Sequence, residues 1–310
     1  MVYDVVIVGG GPAGYSAALY CARANYSVLL LEKLSPGGQM GTTDWVDNYP
    51  GFPEGIGGFE LSMQMKQGAE RFGVETRMVE VTDINLDGDI KTVKTTSGEI
   101  QSKTIILASG SSPAELGVKG ERELRGKGIS YCATCDGMFY RQKTVAVVGG
   151  GNTAAADLLY LSKICSKVYI IHRRDKLKAS AIYNKSLENL PNVEFLYNSE
   201  VRGLIGDERL SAIDVYNKDT QETSKLPIDG LFIAIGSKPN SQLYAGKLQL
   251  DSRGYIPADE TTRTEIPGVF AIGDLRSKPL RQIITAASDG AVASYFVEEY
   301  LNNIAEKSVD

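Results

Sequence analysis

The chain has 310 residues, of which 43% are hydrophobic and 23% charged, and its formal net charge is −5. This composition is that of an ordinary globular protein, and the negative charge argues against nucleic acid or an anionic membrane as a partner. No apolar run reaches the ~20 residues that span a bilayer, and the first residues lack the layout of a secretory signal. We therefore expect about two domains in a cytoplasmic protein.

The chain begins with a βαβ pattern that carries a dinucleotide-binding fingerprint. Its parts are a strand (3–8), the run Gly9-Gly10-Gly11-Pro12-Ala13-Gly14, a helix (12–24) and a second strand (27–31). The second strand ends at Glu32, where a carboxylate accepts hydrogen bonds from a ribose and repels a 2′-phosphate. Because the glycines stand between a strand and a helix, the fingerprint is credible and suits FAD or NAD(H).

A pair of cysteines follows in the middle of the chain, as Cys132-Ala133-Thr134-Cys135-Asp136. In a reducing compartment, such a pair near a βαβ unit indicates redox catalysis or metal binding. One pair and a single distant histidine do not supply the four ligands of structural zinc, so we expect no metal. Asp136 can protonate a departing thiolate if burial raises its pKa. Cys21 and Cys165 lie on apolar helical patterns, where we expect them to be buried.

The βαβ pattern then returns with a second fingerprint. Its parts are a strand (144–148), the run Gly149-Gly150-Gly151-Asn152-Thr153-Ala154, a helix from 153 and a strand (168–171). The position equivalent to Glu32 holds His172, which Arg173 and Arg174 follow, with Lys178 beyond. Charge-assisted hydrogen bonds contribute ~1.5–3 kcal/mol each, so the two arginines favour a 2′-phosphate. This site is predicted to bind NADPH.

Two similar segments strengthen the evidence that the chain contains two related halves. Residues 105–113 and 231–239 are both strands that stop at a glycine, with Ala108 and Gly110 in one and Ile235 and Gly236 in the other. A nucleotide can lie across such a strand end.

A further strand ending in Gly273-Asp274, and a helical pattern over 282–302, would complete the first domain. We therefore predict an α/β protein with two Rossmann-like three-layer nucleotide-binding domains. A discontinuous FAD domain (1–113 and 243–310) surrounds an inserted NADPH domain (114–242) that carries the dithiol. The two linkers, side by side, are expected to act as a hinge.

With Cys-Ala-Thr-Cys-Asp, Gly-Gly-Gly-Asn-Thr-Ala, His-Arg-Arg-Asp and Ala-Ile-Gly-Asp in this order, the chain resembles the low-molecular-weight thioredoxin reductases from Tyr3 to about Leu301. The resemblance implies a homodimer that binds FAD and NADPH and reduces thioredoxin after a domain rotation. It also implies that Cys135 faces the flavin, that Cys132 attacks the thioredoxin disulfide and that Asp136 is the acid. The flavin contacts it implies are Glu32 to Gln39, including Lys33, Gly37 and Gly38, and Asn48, Gly273, Asp274, Arg281, Gln282 and Ile283.

The chain departs from the family pattern at three positions. Lys178 stands where the family usually has an arginine, which is expected to soften the preference for NADPH because lysine is a point charge. Met138 replaces the first of two phenylalanines, and Lys127 replaces an arginine that often contacts the partner. Both changes are expected to tune which thioredoxin is accepted.

Three other functions stay open on the sequence. The first is a reductase for a peroxidase, although that group usually carries an additional N-terminal dithiol module and prefers NADH. The second is a dithiol flavoprotein coupled to ferredoxin or oxygen, against which the intact second fingerprint argues. The third is a flavin-bound redox sensor without enzymatic turnover.

Overall fold

The computed structural model describes residues 1–43, 45–187 and 190–307. The α-helices are α1 (Pro12–Arg23), α2 (Gly58–Glu70), α3 (Ala133–Asp136), α4 (Asn152–Ser162), α5 (Ala181–Leu187) and α6 (Ile283–Lys307). The strands are β1 (Val2–Val8), β2 (Val28–Glu32), β3 (Glu75–Met78), β4 (Val81–Asn85), β5 (Lys91–Thr95), β6 (Gly98–Leu107), β7 (Ser111–Pro113), β8 (Ile129–Ser130), β9 (Thr144–Gly149), β10 (Lys167–Ile171), β11 (Val193–Leu196), β12 (Ser199–Ile205), β13 (Ala212–Asn217), β14 (Thr223–Pro227), β15 (Gly230–Ala234), β16 (Ser237–Pro239) and β17 (Val269–Ala271). Within the described ranges, none of the helices is long and apolar enough to cross a membrane.

The chain divides into two compact units. The first consists of Met1–Ser112 and the chain from Lys238 onwards, and the second of Pro113–Ser237. The insertion was predicted to cover residues 114–242, and two residues near the end of that range form hydrogen bonds with Ser109 of the first unit. The side-chain amide of Asn240 donates to the carbonyl oxygen of Ser109 (2.8 Å), and the Tyr244 hydroxyl donates to the Ser109 hydroxyl (3.3 Å).

A seven-stranded sheet forms the centre of the first unit. Its order is β3-β2-β1-β6-β5-β4, and β17 pairs with the end of β6. The strands β1, β2, β3, β6 and β17 are parallel, whereas β4, β5 and the first part of β6 form an antiparallel meander. The carboxyl ends of β1, β2 and β6 meet at one edge, since Val8 is paired with both Leu31 and Leu107.

Apolar residues cover both faces of this sheet. Val5 and Ile7 of β1 pack in a core with residues of α1 and α6, whereas Val6 and Val8 pack in a second core on the opposite face. The alternation is the period of two of a strand, and the continuous apolar run is typical of parallel strands covered on both faces. The second core also contains Ile84 of the meander, so the unit has three layers.

The second unit repeats this architecture around a five-stranded parallel sheet. The strand order is β11-β10-β9-β15-β8, and β12, β13 and β14 form a separate antiparallel sheet. Val145 and Val147 of β9 pack against α4, whereas Ala146 and Val148 pack against residues of the antiparallel sheet. Helix, parallel sheet and antiparallel sheet therefore make three layers. The predicted fold class is confirmed.

The chain passes between the two units through β7 and β16, which pair with each other as a two-stranded sheet. The amide of Ala114 donates to the carbonyl oxygen of Gly236 (2.9 Å) beside this pair. Each linker strand ends in a proline, Pro113 or Pro239, which has no N–H with which to extend the ladder. The two linkers thus run side by side, and the hinge expected at them stays a prediction.

Candidate active site

The first glycine loop, after β1, brings backbone segments close together. A Cβ on Gly14 would lie 2.0 Å from the carbonyl oxygen of Gly9, so only glycine allows α1 to start so near the strand. The amide of Gly37 donates to the carbonyl oxygen of Gly10 (2.7 Å), which fixes the loop from the other side. A Cβ on Gly11, in contrast, would meet nothing nearer than the Gly37 oxygen at 3.9 Å. This open space at the start of α1 is where such loops accept a diphosphate.

Three more predicted residues lie along this loop or beside it. A Cβ on Gly9 would lie 2.3 Å from the carbonyl oxygen of Ala108, so the end of β6 touches the loop. A Cβ on Gly38 would lie 3.8 Å from the Cα of Gly11. Gly110 has a φ of 68°, a left-handed conformation that lets the chain turn between β6 and β7.

The carboxylate of Glu32 is fixed at the end of β2. One of its oxygens accepts a hydrogen bond from the Gly10 amide (2.8 Å), and the other accepts one from the Leu34 amide (2.8 Å). Each carboxylate oxygen can accept a further hydrogen bond, so Glu32 is suitable for a ribose hydroxyl beside the loop. The neighbouring Lys33, also predicted to contact the flavin, forms a surface ion pair with Glu80 (2.6 Å).

The Gly273–Asp274 turn carries a buried carboxylate oxygen without a hydrogen-bond partner, Oδ1 of Asp274. Burial raises the pKa of Asp274, although Arg281 and Lys278 act in the opposite direction. An unsatisfied buried polar atom costs about 1–3 kcal/mol, so the turn is suited to receive a ligand hydroxyl. A Cβ on Gly273 would lie 3.0 Å from the Cβ of Ala13, which places the turn against the first turn of α1. The open space at the first glycine loop and the unpaired acceptor of Asp274 together fit FAD.

The remaining predicted flavin residues belong to the same unit. The side-chain amide of Gln39 donates to the carbonyl oxygen of Ser111 (2.6 Å). The side-chain amide of Asn48 donates to the side-chain oxygen of Gln282 (3.0 Å), just before α6. Ile283, the first residue of α6, packs against a small apolar cluster that contains Met40. Arg281 has a buried Nε without a partner, which is a donor suited to a ligand.

A buried ion network, absent from the sequence predictions, holds the Gly273–Asp274 turn. Asp289 of α6 accepts hydrogen bonds from the Gly273 amide (2.8 Å), from the Arg276 guanidinium (2.9 and 2.8 Å) and from Lys278 (2.8 Å). The three charged side chains are only 5–8% exposed. Burial acts to raise the pKa of Asp289, but the hydrogen bonds from Arg276 and Lys278 outweigh it and lower the pKa. An acid within an apolar helical pattern was the only sequence signal for this network.

The second glycine loop, after β9, has the same open space. A Cβ on Gly151 would meet nothing within 4 Å, at the start of α4. Ala154, in the first turn of the helix, is fully buried. The Gly150 carbonyl oxygen accepts a hydrogen bond from the Lys178 amide (2.6 Å), so the segment after β10 returns to the loop. The pairing of Ala234 with Gly149 brings Ile235 and Gly236, which follow β15, to the same edge.

Beside this loop the structure separates His172 from the cations that follow it. The His172 ring is 8% exposed and packs under Gly150, where an added Cβ would lie 2.1 Å from Cε1. Burial lowers the pKa of His172, so the ring is neutral at pH 7 and supports the loop without adding charge. Arg173, Arg174 and Lys178 are exposed, and a phosphate could reach them from solvent.

The segment that follows β10 also forms a hydrogen bond with the start of α4. The side-chain oxygen of Asn152 accepts a hydrogen bond from the Ser180 amide (2.8 Å), and Thr153 is exposed at the helix start. The predicted residues of the second fingerprint therefore lie at one edge of one sheet, with exposed cations at the next strand end. This arrangement fits a dinucleotide with an additional phosphate.

The two central cysteines form a disulfide, with 5.3 Å between the Cα atoms of Cys132 and Cys135. Cys132 is the N-cap of α3, and its carbonyl oxygen accepts hydrogen bonds from the amides of Cys135 (3.3 Å) and Asp136 (3.1 Å). The Thr134 hydroxyl lies 3.5 Å from the Cys132 sulfur. The Asp136 carboxylate accepts a hydrogen bond from the Ser130 hydroxyl (2.6 Å). One short helix therefore holds both sulfurs and a carboxylate.

Apolar side chains are exposed immediately after this helix. Met138 is 46% exposed and Phe139 is 45% exposed. Gly137, between them and the disulfide, packs closely against α4, because a Cβ on Gly137 would lie 2.7 Å from the ring of Tyr160. Large exposed apolar groups beside a reactive centre are typical of a protein-docking surface.

The other two cysteines are free and buried, as predicted. Burial raises the pKa of Cys21 to about 12 and that of Cys165 to about 11. Because the thiolate is the reactive form, both are inert near neutral pH. The disulfide therefore carries the thiol chemistry of the described residues.

Known proteins resemble this chain over almost its full length. Residues 3–290 match the family described as pyridine nucleotide-disulphide oxidoreductase. A thioredoxin reductase of Streptomyces coelicolor is 42% identical over 309 residues, which cover 99% of this chain and 96% of the relative. A thioredoxin reductase of Bacillus subtilis is 41% identical over 307 residues, covering 98% and 96%. The crystal structure of thioredoxin reductase from Streptococcus pyogenes has a TM-score of 0.90 at 41% identity and covers 97% of this chain and 99% of that one.

Proposed function

The chain belongs to the pyridine nucleotide-disulphide oxidoreductase family, among the thioredoxin reductases, and we propose that it uses NADPH and FAD to reduce its Cys132–Cys135 disulfide and then oxidised thioredoxin. The observation that carries this proposal is a disulfide next to a carboxylate, in a chain with two separate dinucleotide loops. Bound FAD would supply a two-electron carrier between the reduced nicotinamide and the disulfide.

The first unit is the proposed FAD site. Its glycine loop leaves room for the diphosphate beside Gly11, and Glu32 offers acceptors for the adenosine ribose. Asp274 offers the buried acceptor without a partner, and Arg281 offers the buried donor. Both groups gain a hydrogen bond when a polar ligand binds, which favours binding because unsatisfied buried groups are costly.

The second unit is the proposed NADPH site. Its loop leaves room for a diphosphate beside Gly151. Arg173 and Arg174 are exposed and free to turn towards a 2′-phosphate, with Lys178 as a third cation. A guanidinium binds a phosphate through two parallel hydrogen bonds, whereas lysine contributes a point charge. The two arginines are therefore expected to provide most of the preference for NADPH over NADH.

The dithiol chemistry follows from the three groups on α3 and at its N-cap. After reduction, the Cys132 thiolate attacks one sulfur of the thioredoxin disulfide, and the other thioredoxin sulfur leaves. The Cys135 thiolate then attacks the Cys132 sulfur, which restores the disulfide and releases the second thioredoxin sulfur. Asp136 gives a proton to a departing thiolate. In total, two electrons pass from the dithiol to thioredoxin. The two protons released when the cysteine thiolates form are balanced by the two taken up by the departing thioredoxin sulfurs, one of them through Asp136.

The exposed Met138 and Phe139 are the proposed contact surface for thioredoxin, since they lie directly beyond the disulfide. A homodimer follows from the resemblance alone, and a cytoplasmic location follows from the composition and the first residues of the sequence. Both stay predictions. Light scattering on the purified protein tests the first, and cell fractionation tests the second.

The testing experiment separates reduction of the bound flavin from reduction of thioredoxin. Wild-type protein should oxidise NADPH continuously only when oxidised thioredoxin is present. Cys135→Ser should still show bleaching of the flavin by NADPH without oxygen, but should not reduce thioredoxin. Cys165→Ser, which changes a buried free cysteine, is the matched control and should retain both reactions. If Cys135→Ser kept most of the disulfide reductase activity, the proposed roles would be wrong.

A further inference from the structure

Ser130 links the first cysteine to the acid beside the disulfide. It is the last residue of β8, two residues before Cys132, and is 4% exposed. Its hydroxyl oxygen lies 2.6 Å from a carboxylate oxygen of Asp136 and 3.1 Å from the amide nitrogen of Cys132. It also lies 3.3 Å from the carbonyl oxygen of Cys132.

The direction of these hydrogen bonds follows from the single proton of a hydroxyl. The Cys132 amide can only donate, so the Ser130 oxygen is the acceptor of that bond. The hydroxyl proton can then go to Asp136 or to the Cys132 carbonyl. The contact of 2.6 Å to the carboxylate has the length of a charge-assisted O–H···O⁻ bond, whereas the alternative of 3.3 Å is long for a hydroxyl. Ser130 therefore donates to the carboxylate.

Two hydrogen-bonded connections therefore join Asp136 to Cys132. Its backbone amide donates to the Cys132 carbonyl oxygen (3.1 Å), and its carboxylate is connected through Ser130 to the Cys132 amide. Neither connection uses a sulfur atom, so both can persist when the disulfide is reduced. We propose that Ser130 is a positioning residue that holds the Asp136 carboxylate beside the first cysteine of the dithiol throughout the reaction.

The strand pairing of this segment does not use the hydroxyl. The backbone of Ser130 pairs with Phe232 of β15 in the parallel sheet, and this pairing does not depend on the side chain. The inference rests on the proposed function, because it concerns the acid of the thioredoxin half-reaction. Loss of a charge-assisted hydrogen bond predicts a rate lower by about 10-fold to 100-fold when the hydroxyl is removed.

The test is a double-mutant cycle in the holoenzyme, with Ser130→Ala, Asp136→Asn and the double variant. The measured quantities are the rate at which pre-reduced enzyme reduces thioredoxin, from pH 6 to about 9, and the rate of flavin reduction by NADPH. Ser130→Ala should slow only the first rate, by about 10-fold to 100-fold. The alkaline limb of the pH profile of this variant should move to higher pH. The reason is that the ionised Asp136 carboxylate loses the hydrogen bond that stabilises it, which raises its pKa. In the Asp136→Asn background, the same change should add less than about twofold, because it acts through Asp136.

Ser199→Ala is the matched control, since Ser199 is buried in the same unit and its hydroxyl donates to a backbone oxygen (2.7 Å). This control should leave both rates unchanged. The inference is overturned if Ser130→Ala reduces thioredoxin as fast as wild type, or if the two substitutions multiply. If Asp136→Asn is as fast as wild type, the acid is misassigned, and if the wild type does not reduce thioredoxin, the proposed function is wrong. Either result also removes the inference. The two failures are distinguishable, because the first is measured in the Asp136→Asn variant and the second in the wild type.

Discussion

Asp289→Asn should strongly destabilise the first unit. The substitution leaves Arg276 and Lys278 buried without a carboxylate, at 7% and 5% exposure of their side chains. It also places an amide where the Gly273 N–H donates. Removing one partner of a buried ion pair costs about 3–5 kcal/mol, because the remaining charge stays desolvated. For a unit of this size, that corresponds to a fall in unfolding temperature of roughly 6–20 °C.

The matched control for this prediction is Glu299→Gln. Glu299 also lies on α6 and pairs with an arginine, Arg263, at 2.8 Å, but this pair is 40–49% exposed. Exposed pairs contribute about 0–1 kcal/mol, so the control should shift the unfolding temperature by at most a few degrees. The assay is thermal unfolding of wild type and both variants at saturating FAD, since ligand binding itself stabilises the folded protein. If Asp289→Asn behaved like the control, the buried network would not stabilise the turn as argued.

The pH dependence of this effect has a definite sign. The pKa of Asp289 is lowered in the folded protein, so its contribution is complete above the unfolded-state value of about 3.9. It is lost as the pH falls below that value, through the folded-state pKa. The difference in stability between wild type and Asp289→Asn should therefore be constant from pH 7 to about 5 and shrink below about 4. A difference that grew on acidification would contradict the assignment.

Two other predictions concern the second unit. Replacing Arg173 and Arg174 together by alanine should reduce the preference for NADPH over NADH by about 10-fold to 100-fold, as the ratio of kcat/KM values shows. The control is Lys225→Ala, which removes an exposed cation from β14 and should leave the ratio unchanged. An unchanged ratio in the double arginine variant would argue against a role of the two arginines in binding the 2′-phosphate. Burial raises the pKa of Asp157 to about 7. As the pH rises from 5 to 7, wild type should therefore lose stability relative to Asp157→Asn, by up to about 1.4 kcal/mol per pH unit. Urea unfolding at several pH values checks this, and a difference independent of pH would contradict it.

The two βαβ units were predictable because their signals are local. Apolar runs, glycines and helical patterns follow one another within about 30 residues, and the fold confirms that order. The antiparallel strands were missed for the converse reason. In β14, four of the five side chains are exposed and none is fully buried, so no apolar alternation marks the strand. Its position is determined by pairing with β13, which the sequence of the strand does not show.

The site shows the same division between local and distant contacts. Asp136 was found because it adjoins Cys135, whereas the role of Asp289 depends on Arg276, thirteen residues away in the chain. His172 was placed among the nucleotide-binding residues from its position after a strand, but the structure packs its ring under Gly150. Lys33 adjoins Glu32, yet its ion pair is with Glu80, which only the fold brings near. Side-chain direction and distant partners are properties of tertiary packing.

The central claim is that one bound flavin connects NADPH with the Cys132–Cys135 disulfide. An anaerobic titration of the purified protein tests it most directly, with visible absorption recorded during addition of NADPH and then of oxidised thioredoxin. The protein should be yellow, lose its flavin absorption with NADPH and regain it with thioredoxin. A protein that neither contains nor takes up flavin, or whose flavin does not respond to NADPH, would contradict the account.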